Sequence, residues 1–380
     1  MLLKIKPKKK LETAVKELPV WERPAPPVIE WTENNLIGRE TLEYCKKGEV
    51  SATDIRDIAR EQQENCYDVR MKMNDLDFSV QESKIFTLHN EEIGYSLLTP
   101  YALQQLGNRY GIPAQYVKKC MGASTRLKNG GDYRELVMDN YRTWMGDDNS
   151  TVLLRQYDNH DASVTRAVLS DKYVPFDTPD IMDVVCSNVP IRKHWSVRQY
   201  LVNPERFHLR LVSDEPLDIP KEDLFMGFTI DSSDVGRSSL NMRFIIFKQV
   251  CTNGLILPKF QDVIMRQIHV GAGAERFEDN LVACLSAVTQ AKEYAVSLLT
   301  DVAGKKLPFK LDDEEKIDSF RSSRGISKEA MNEVLEMVKA NRYGEPSRWT
   351  LINAMTEVAQ NFGIDTRLNM ERQAGLLLAA

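Results

Sequence analysis

Residues 227–257 read GFTIDSSDVGRSSLNMRFIIFKQVCTNGLIL, two apolar alternating runs joined by a polar segment that contains glycine. In an extended chain successive side chains point to opposite faces. Met242, Phe244 and Ile246 therefore share one face of the second run, and Arg243, Ile245 and Phe247 the other. Period-two runs continue on both sides of this stretch, in TVLLRQY, SVTRAVLS, HWSVRQYLV, RFHLRLV, LFMGFTI and VIMRQIHV between residues 151 and 270. The pattern predicts a mainly antiparallel central sheet, interrupted by a helix over 179–187.

The flanks are helical. Ser51 caps a predicted helix with apolar spacing at Ile55, Ile58 and Ala59 that continues past Cys66 and Val69. Short strands are expected at 78–80 and 85–88. Thr99-Pro100 opens a helix that Gly111 stops, and Pro113 starts another through Cys120. This pair has the outline of a DNA-reading helix-turn-helix with Gln115, Lys118 and Lys119 as readers, but its second helix is short and core packing accounts for it better. A further amphipathic helix runs from Tyr133 to Met145. After Glu275 the pattern is helical to the C-terminus, with an acidic linker at 312–315. The fold class is α+β with flanking helices and a helical C-terminal region.

The domain boundaries follow from composition. Residues 1–45 hold Lys4, Lys6, Lys8, Lys9 and Lys10, then Pro19, Pro24, Pro26 and Pro27, and are expected as a flexible basic arm. Residues 46–150 are mainly helical, 151–272 form the β-rich core and 273–380 the helical region. The span 46–380 is expected to be one compact unit, with Gly271–Gly273 as its likeliest break.

At 380 residues with a formal net charge of −5, the chain excludes nucleic-acid binding by bulk charge, so a local patch is required. Cys45, Cys66, Cys120, Cys186, Cys251 and Cys284 are widely spaced without a CxxC, which fits free thiols in a reducing cytoplasm. No apolar run reaches the roughly 18–20 residues that span a bilayer, so no membrane partner is expected. MLLKIKPKKK lacks the apolar segment of a secretion signal.

Enzyme signatures are missing: there is no GxxxxGK[ST], GxGxxG after a strand, HExxH or GxSxG. His89, His160, His194, His208 and His269 are far apart. Asp158, His160 and Asp161 in YDNHD, or Asp231 and Asp234 in DSSD, are the best candidates for a divalent cation in a nucleic-acid or nucleotide enzyme. Turn chemistry explains both more simply. No catalytic residue, metal ligand or cofactor is assigned.

Basic and aromatic residues interleave through the sheet. On strict alternation Arg206, His208 and Arg210 share one face and Phe207, Leu209 and Leu211 the other, which predicts one buried side and one open basic side. Arg198, Arg206, Arg210, Arg243 and Lys248 are placed to meet phosphates, and Trp195, Tyr200 and Phe247 to stack on bases of single-stranded DNA. Solvated strand positions also carry Arg and Lys, and Asp214, Glu215, Asp218, Glu222 and Asp223 offset the charge. In SRWTLINAMTEVAQNFG, from Ser347, Trp349, Ile352 and Thr356 form one helical stripe beside Leu351, Met355 and Val358. Asn353 and Glu357 lie one turn apart, where Arg367 or Arg372 of the next helix could pair with them.

Three segments together carry a family likeness: residues 227–257, RAVLSDKYVPFD at 166–177, and RWTLINAMTEVAQ with a later arginine. They resemble phage- and plasmid-like proteins of unknown function, found in bacteriophages and prophage islands. The likeness spans roughly 95–375. It rests on Ser170, Asp171 and Tyr173, on Cys251, Asn253 and Gly254, and on Asn353, Ala354, Thr356 and Glu357. It implies phage DNA metabolism, and the sheet flanked by helices is similar in outline to single-strand annealing recombinases. The expected partners are single-stranded DNA and further copies of the chain in a homo-oligomer, with a host protein as the partner if the chain is instead a binding module.

Overall fold

The structure is a computed structural model that describes residues 43–46, 48–80, 86–122, 132–158, 163–203, 205–219, 222–248, 253–257, 265–270, 276–302 and 304–379. Most of the basic arm expected at 1–45, His160, Asp161, Cys251 and the expected break at Gly271–Gly273 lie outside the described residues.

The chain is α+β, but its strands form two mostly antiparallel sheets where one central sheet was expected. The residues divide into two compact units, Glu64–Tyr173 and Gly38–Gln63 with Val174–Ala380. This corrects both the single unit over 46–380 and the β-rich core over 151–272. Period-two alternation identifies a strand without identifying its neighbour.

In chain order, β1 (Glu43–Tyr44) and α1 (Ala52–Gln63) belong to the second unit. The first unit takes β2 (Cys66–Lys72), β3 (Asp77–Val80), β4 (Phe86–Asn90), β5 (Gly94–Leu98), α2 (Pro100–Arg109), α3 (Ala114–Gly122), α4 (Tyr133–Gly146), β6 (Thr151–Asp158) and β7 (Ser163–Ser170). Its sheet order is β2-β6-β7-β5-β4-β3, antiparallel except between β5 and β7. The helix expected to run past Cys66 ends at Gln63, and Cys66–Lys72 pairs with β6 along its whole length. Thr99 caps α2 by accepting from Ala102 N at 3.1 Å, and Gly111 takes a φ of 65° that only glycine adopts readily. Ala102, Leu106, Val117 and Cys120 enter the core with Phe78, Tyr141 and Val152. Gln115, Lys118 and Lys119 are exposed, so α2 and α3 pack as a helical pair whose apolar stripe is used up in the core.

The second unit continues with α5 (Thr178–Ser187), α6 (Val189–His194), β8 (Trp195–Val202), β9 (Phe207–Pro216), β10 (Leu224–Ser232), β11 (Leu240–Lys248), β12 (Asn253–Ile256), β13 (Met265–Gln267), α7 (Phe277–Ser286), α8 (Val288–Val302), α9 (Glu314–Ser323), α10 (Lys328–Lys339), α11 (Arg348–Val358) and α12 (Ile364–Ala379). Its sheet order is β1-β8-β9-β10-β11-β12, and β13 also pairs with β11. The register sets Phe228 opposite Leu211 and Phe244, and Ile230 opposite Leu209 and Met242. That face joins Ile55, Ile181, Leu281, Ala295, Val334 and Ile352 from the helices in one apolar core. Burial of each such side chain contributes roughly 1.5–3 kcal/mol.

No described helix is long and apolar enough to cross a membrane.

Gly227 of β10 lies between Ile245 of β11 and Val212 of β9. A Cβ there would stand 2.8 Å from Ile245 Cγ1 and 2.9 Å from the Leu211 carbonyl oxygen. Because one neighbour is backbone, Gly227→Ala is expected to lower stability by about 1–3 kcal/mol. Gly146→Ala meets nothing within 4 Å and serves as the control; urea midpoints of the two variants against the parent test the difference.

Candidate nucleic-acid interface

The other face of the second sheet is polar at its centre. Gln199 is opposite Arg210, Arg210 opposite Thr229, and Thr229 opposite Arg243; one step along, His208 is opposite Asp231. Such a row is what an open, solvated face would carry, and an open basic face was expected here. The structure corrects that expectation, because Gln199, His208, Arg210 and Thr229 are all fully buried. The cover is α12, whose Ile364 and Leu368 pack on Leu201 and whose Arg367 and Glu371 point inward, one helical turn apart.

Buried charge must be paired, and this charge is. Glu371 Oε2 accepts from Arg210 Nη2 at 2.7 Å and Oε1 from Arg210 Nη1 at 3.3 Å. Oε1 also accepts from Arg367 Nε at 3.1 Å, and Arg367 Nη2 donates to Gln199 Oε1 at 3.1 Å. Burial alone would raise the Glu371 carboxyl, but Arg210 and Arg367 outweigh it and hold it below its ordinary value. A second group centres on Asp231, whose Oδ1 is 2.7 Å from His208 Nδ1 and whose Oδ2 accepts from Arg243 Nη1 at 2.7 Å. Burial would raise Asp231 too, and His208 with Arg243 hold it low. Burial pushes His208 down, assisted by the charges of Arg210 and Arg367 and only partly opposed by Asp231. The imidazole is therefore neutral.

Gly254 makes room for this arrangement: a Cβ on it would lie 2.5 Å from Arg210 Nη1 and 2.8 Å from Cζ. The glycine of the Cys-x-Asn-Gly element thus cradles the guanidinium that Glu371 holds.

The expected DNA-contacting side chains are distributed among three settings. Arg206 pairs with Asp365 at 2.8 Å, Arg210 with Glu371, and Arg243 with Asp231. Half-buried Trp195 and Tyr200 pack against the apolar core, with the Trp195 ring 5.1 Å from that of Phe228. Lys248 donates to Glu222 at 3.0 Å and to Asn353 Oδ1 at 3.3 Å, and its Nζ lies 5.7 Å and 5.8 Å from the ring centroids of Tyr343 and Trp349. Trp349 Nε1 also donates to Glu222, at 3.0 Å.

Arg198 stands apart. It falls at the bulge between Val197 and Gln199 in the β8–β9 register, and its Cζ lies 5.9 Å from the centroid of the buried Phe247 ring. Burial lowers its basicity, with Asp214 opposing only as a more distant charge. Among the described residues no carboxylate pairs with it, and its Nε is buried without a hydrogen-bond partner.

The motif residues of the C-terminal helix meet the same sheet. Lys248, Gly254, Trp349, Ile352, Asn353 and Thr356 line a cavity of about 20 Å³, enough for about one water molecule and far short of a base or nucleotide. Glu357 pairs with Arg342 at 2.5 Å and accepts from the Tyr343 hydroxyl. The expected pairing of Arg367 with Asn353 or Glu357 is replaced by its bonds to Glu371 and Gln199. Gln199, Glu371 and Tyr343 had no motif to mark them. The one signal for Glu371 was an i,i+4 Arg–Glu pair in a helix whose Met370, Ala374, Leu377 and Leu378 are apolar.

Of the acidic residues weighed for a metal, Asp231 and Asp234 are committed elsewhere. Asp231 is held by His208 and Arg243, and Asp234 Oδ1 accepts from Thr178 N and Oγ1 at 3.1 Å and 3.0 Å. Among the described residues no three His, Cys, Asp or Glu side chains converge on a metal-sized site. Comparison with protein-family models, with curated proteins and with solved structures finds no match.

Two outcomes follow for stability. Glu371→Gln leaves two guanidiniums buried against a neutral amide and is expected to cost about 3–5 kcal/mol, read from urea unfolding. For pH, the unfolded chain takes up a proton at His208 near the ordinary 6.5 while the folded chain refuses it. The unfolded state then binds more protons, so stability falls as pH drops below 6.5. Asp231 and Glu371 add a second loss below their ordinary 3.8 and 4.5, as the unfolded carboxylates protonate first. His208→Gln keeps a donor for Asp231 and is expected to flatten the first limb, seen by comparing urea midpoints at about pH 7.5 and 5.5 with the parent.

Proposed function

We propose that the protein binds single-stranded DNA in phage-type DNA metabolism, through the cation–ring groups Arg198–Phe247 and Lys248–Tyr343–Trp349, and so promotes pairing of complementary strands. The observation that carries this reading is Arg198, a partly desolvated guanidinium on an aromatic platform with which, among the described residues, no carboxylate pairs directly. Desolvating a cation without a partner is costly. An incoming phosphate offsets that cost with charge-assisted, bidentate hydrogen bonds.

Lys248 supports the same reading from the opposite face of β11. Its ammonium is flanked by two rings, and a base that stacks on such rings contributes about 1–3 kcal/mol. Arg206, Arg210 and Arg243 are withdrawn from the interface, because each already holds a carboxylate and none has the two flanking rings that keep Lys248, itself paired with Glu222, in it. The likeness of residues 166–177, 227–257 and 348–360 to phage- and plasmid-like proteins supplies the biological setting.

Fluorescence anisotropy of a labelled single strand, titrated at several salt concentrations beside a duplex of the same sequence, tests this. The parent protein is expected to favour the single strand. Arg198→Ala is expected to weaken binding and to reduce the slope of log K against log salt by about 0.7, one phosphate contact on a single strand. Absence of parent binding at low salt sinks the DNA reading, and an Arg198→Ala variant with parental affinity and slope removes this residue from it.

A further inference from the structure

In the polar interior under α12, three neighbours of Arg210 have incomplete bonding. Gln199 Nε2, His208 Nε2 and Thr229 Oγ1 are buried and have no hydrogen-bond partner, and all three residues have 0% exposure. They are not scattered. Gln199 and Thr229 are the two cross-strand neighbours of Arg210, and His208 is two residues along from Arg210 on the same face. Directly opposed side chains on a sheet have Cβ atoms about 4.5–5.5 Å apart, and diagonal ones about 7 Å. A polar group left unbonded in the interior is destabilising, so three on one patch call for a shared partner.

The chemistry of the three groups selects that partner. Asp231 is ionised and accepts from His208 at Nδ1, so the neutral ring carries its proton there and offers a bare lone pair at Nε2. Gln199 spends its carbonyl oxygen on Arg367 and offers N–H donors. Thr229 offers both a donor and an acceptor. The occupant must therefore accept from Gln199 and donate to His208. A simple anion fails, because it would face the imidazole lone pair. Charge does not demand one either: Arg210 and Arg367 face Glu371, Arg206 pairs with Asp365, and the side chain of Arg243 beside Asp231 is 20% exposed and reaches solvent.

We propose that one ordered water is built into the fold here, accepting from Gln199 Nε2, donating to His208 Nε2 and completing its bonding with Thr229 Oγ1. Buried waters make about three hydrogen bonds. This water joins the two charge groups into a single chain running Arg243, Asp231, His208, water, Gln199, Arg367, Glu371 and Arg210. It is the point at which strand β10 and helix α12 sense each other. The proposal is independent of the DNA reading.

A crystal structure of the full chain, grown with bromide present, tests it directly. The expected result is one spherical, non-anomalous density peak within hydrogen-bond distance of Gln199 Nε2 and His208 Nε2. An empty space overturns the proposal, and so does an anomalous bromide peak, which makes the site an anion site. In solution, a double-mutant cycle of His208→Phe with Gln199→Leu reads the same link through folding constants. The double variant is expected to be more stable than the product of the single effects by about threefold or more. Strict additivity means that no shared partner connects the two halves. If the double variant does not fold, Thr229→Val replaces Gln199→Leu with the same expected outcome.

Discussion

A carboxylate buried between two guanidiniums sets the polar half of the second unit. Glu371 is fully buried, and in a low-dielectric interior an unpaired carboxylate is not tolerated. Arg210 from β9 and Arg367 from the preceding turn of α12 hold it with three hydrogen bonds between 2.7 and 3.3 Å. Such a group adds little net stability, since desolvation consumes most of the attraction. What it supplies is register. Rotating α12 by one residue, or sliding it by one turn, would part Glu371 from Arg210 and Arg367 from Gln199, and leave the Arg210 guanidinium buried without its carboxylate. The apolar residues of α12 could accept several settings, and the charges accept one.

The same requirement reaches into the backbone. Arg210 spends its guanidinium beside Gly254, where any side chain would collide with it, so a glycine in β12 and an arginine in β9 are parts of one arrangement. Asp231 and His208 occupy the next row of the sheet and are subject to the same rule. Asp231 is ionised because His208 and Arg243 make it so, and His208 is neutral because it is buried near two further cations. A row of polar residues that resembles a solvent-facing strand is thus an interior hydrogen-bond network.

Function, on the reading favoured here, falls to Arg198, which holds no carboxylate among the described residues, and to Lys248, which shares Glu222 with Trp349 beside two rings. Arg198 lies at a bulge, which turns it out of the strict alternation of β8 and lets it rest on Phe247. Lys248 lies at the end of β11 among the rings and amide contributed by α11 and the segment before it. Both were visible as members of a basic and aromatic pattern. What set Arg198 apart from Arg206, Arg210 and Arg243 was the position of carboxylates from other segments, in two cases more than a hundred residues away; what set Lys248 apart was the pair of rings beside it.

Much of the local structure was legible from residues alone. Alternation identified β6 to β11, Thr99-Pro100 and Gly111 marked the ends of α2, and the apolar stripe around Trp349 marked α11 as a packed helix. These signals are local because backbone geometry repeats every two or 3.6 residues, and a side chain's environment follows that repeat. The helix expected to run past Cys66 failed because β6 offered a better use for Cys66–Lys72 as a strand. By itself the sequence determined strands β6 to β11, most of the helices, and which strand faces are apolar. Only the tertiary structure decided that the strands divide between two sheets, that the polar face of the second is covered, and which arginines are spent on carboxylates. Pairing and burial join residues as distant as Arg210 and Glu371, and no periodicity along the chain encodes that distance.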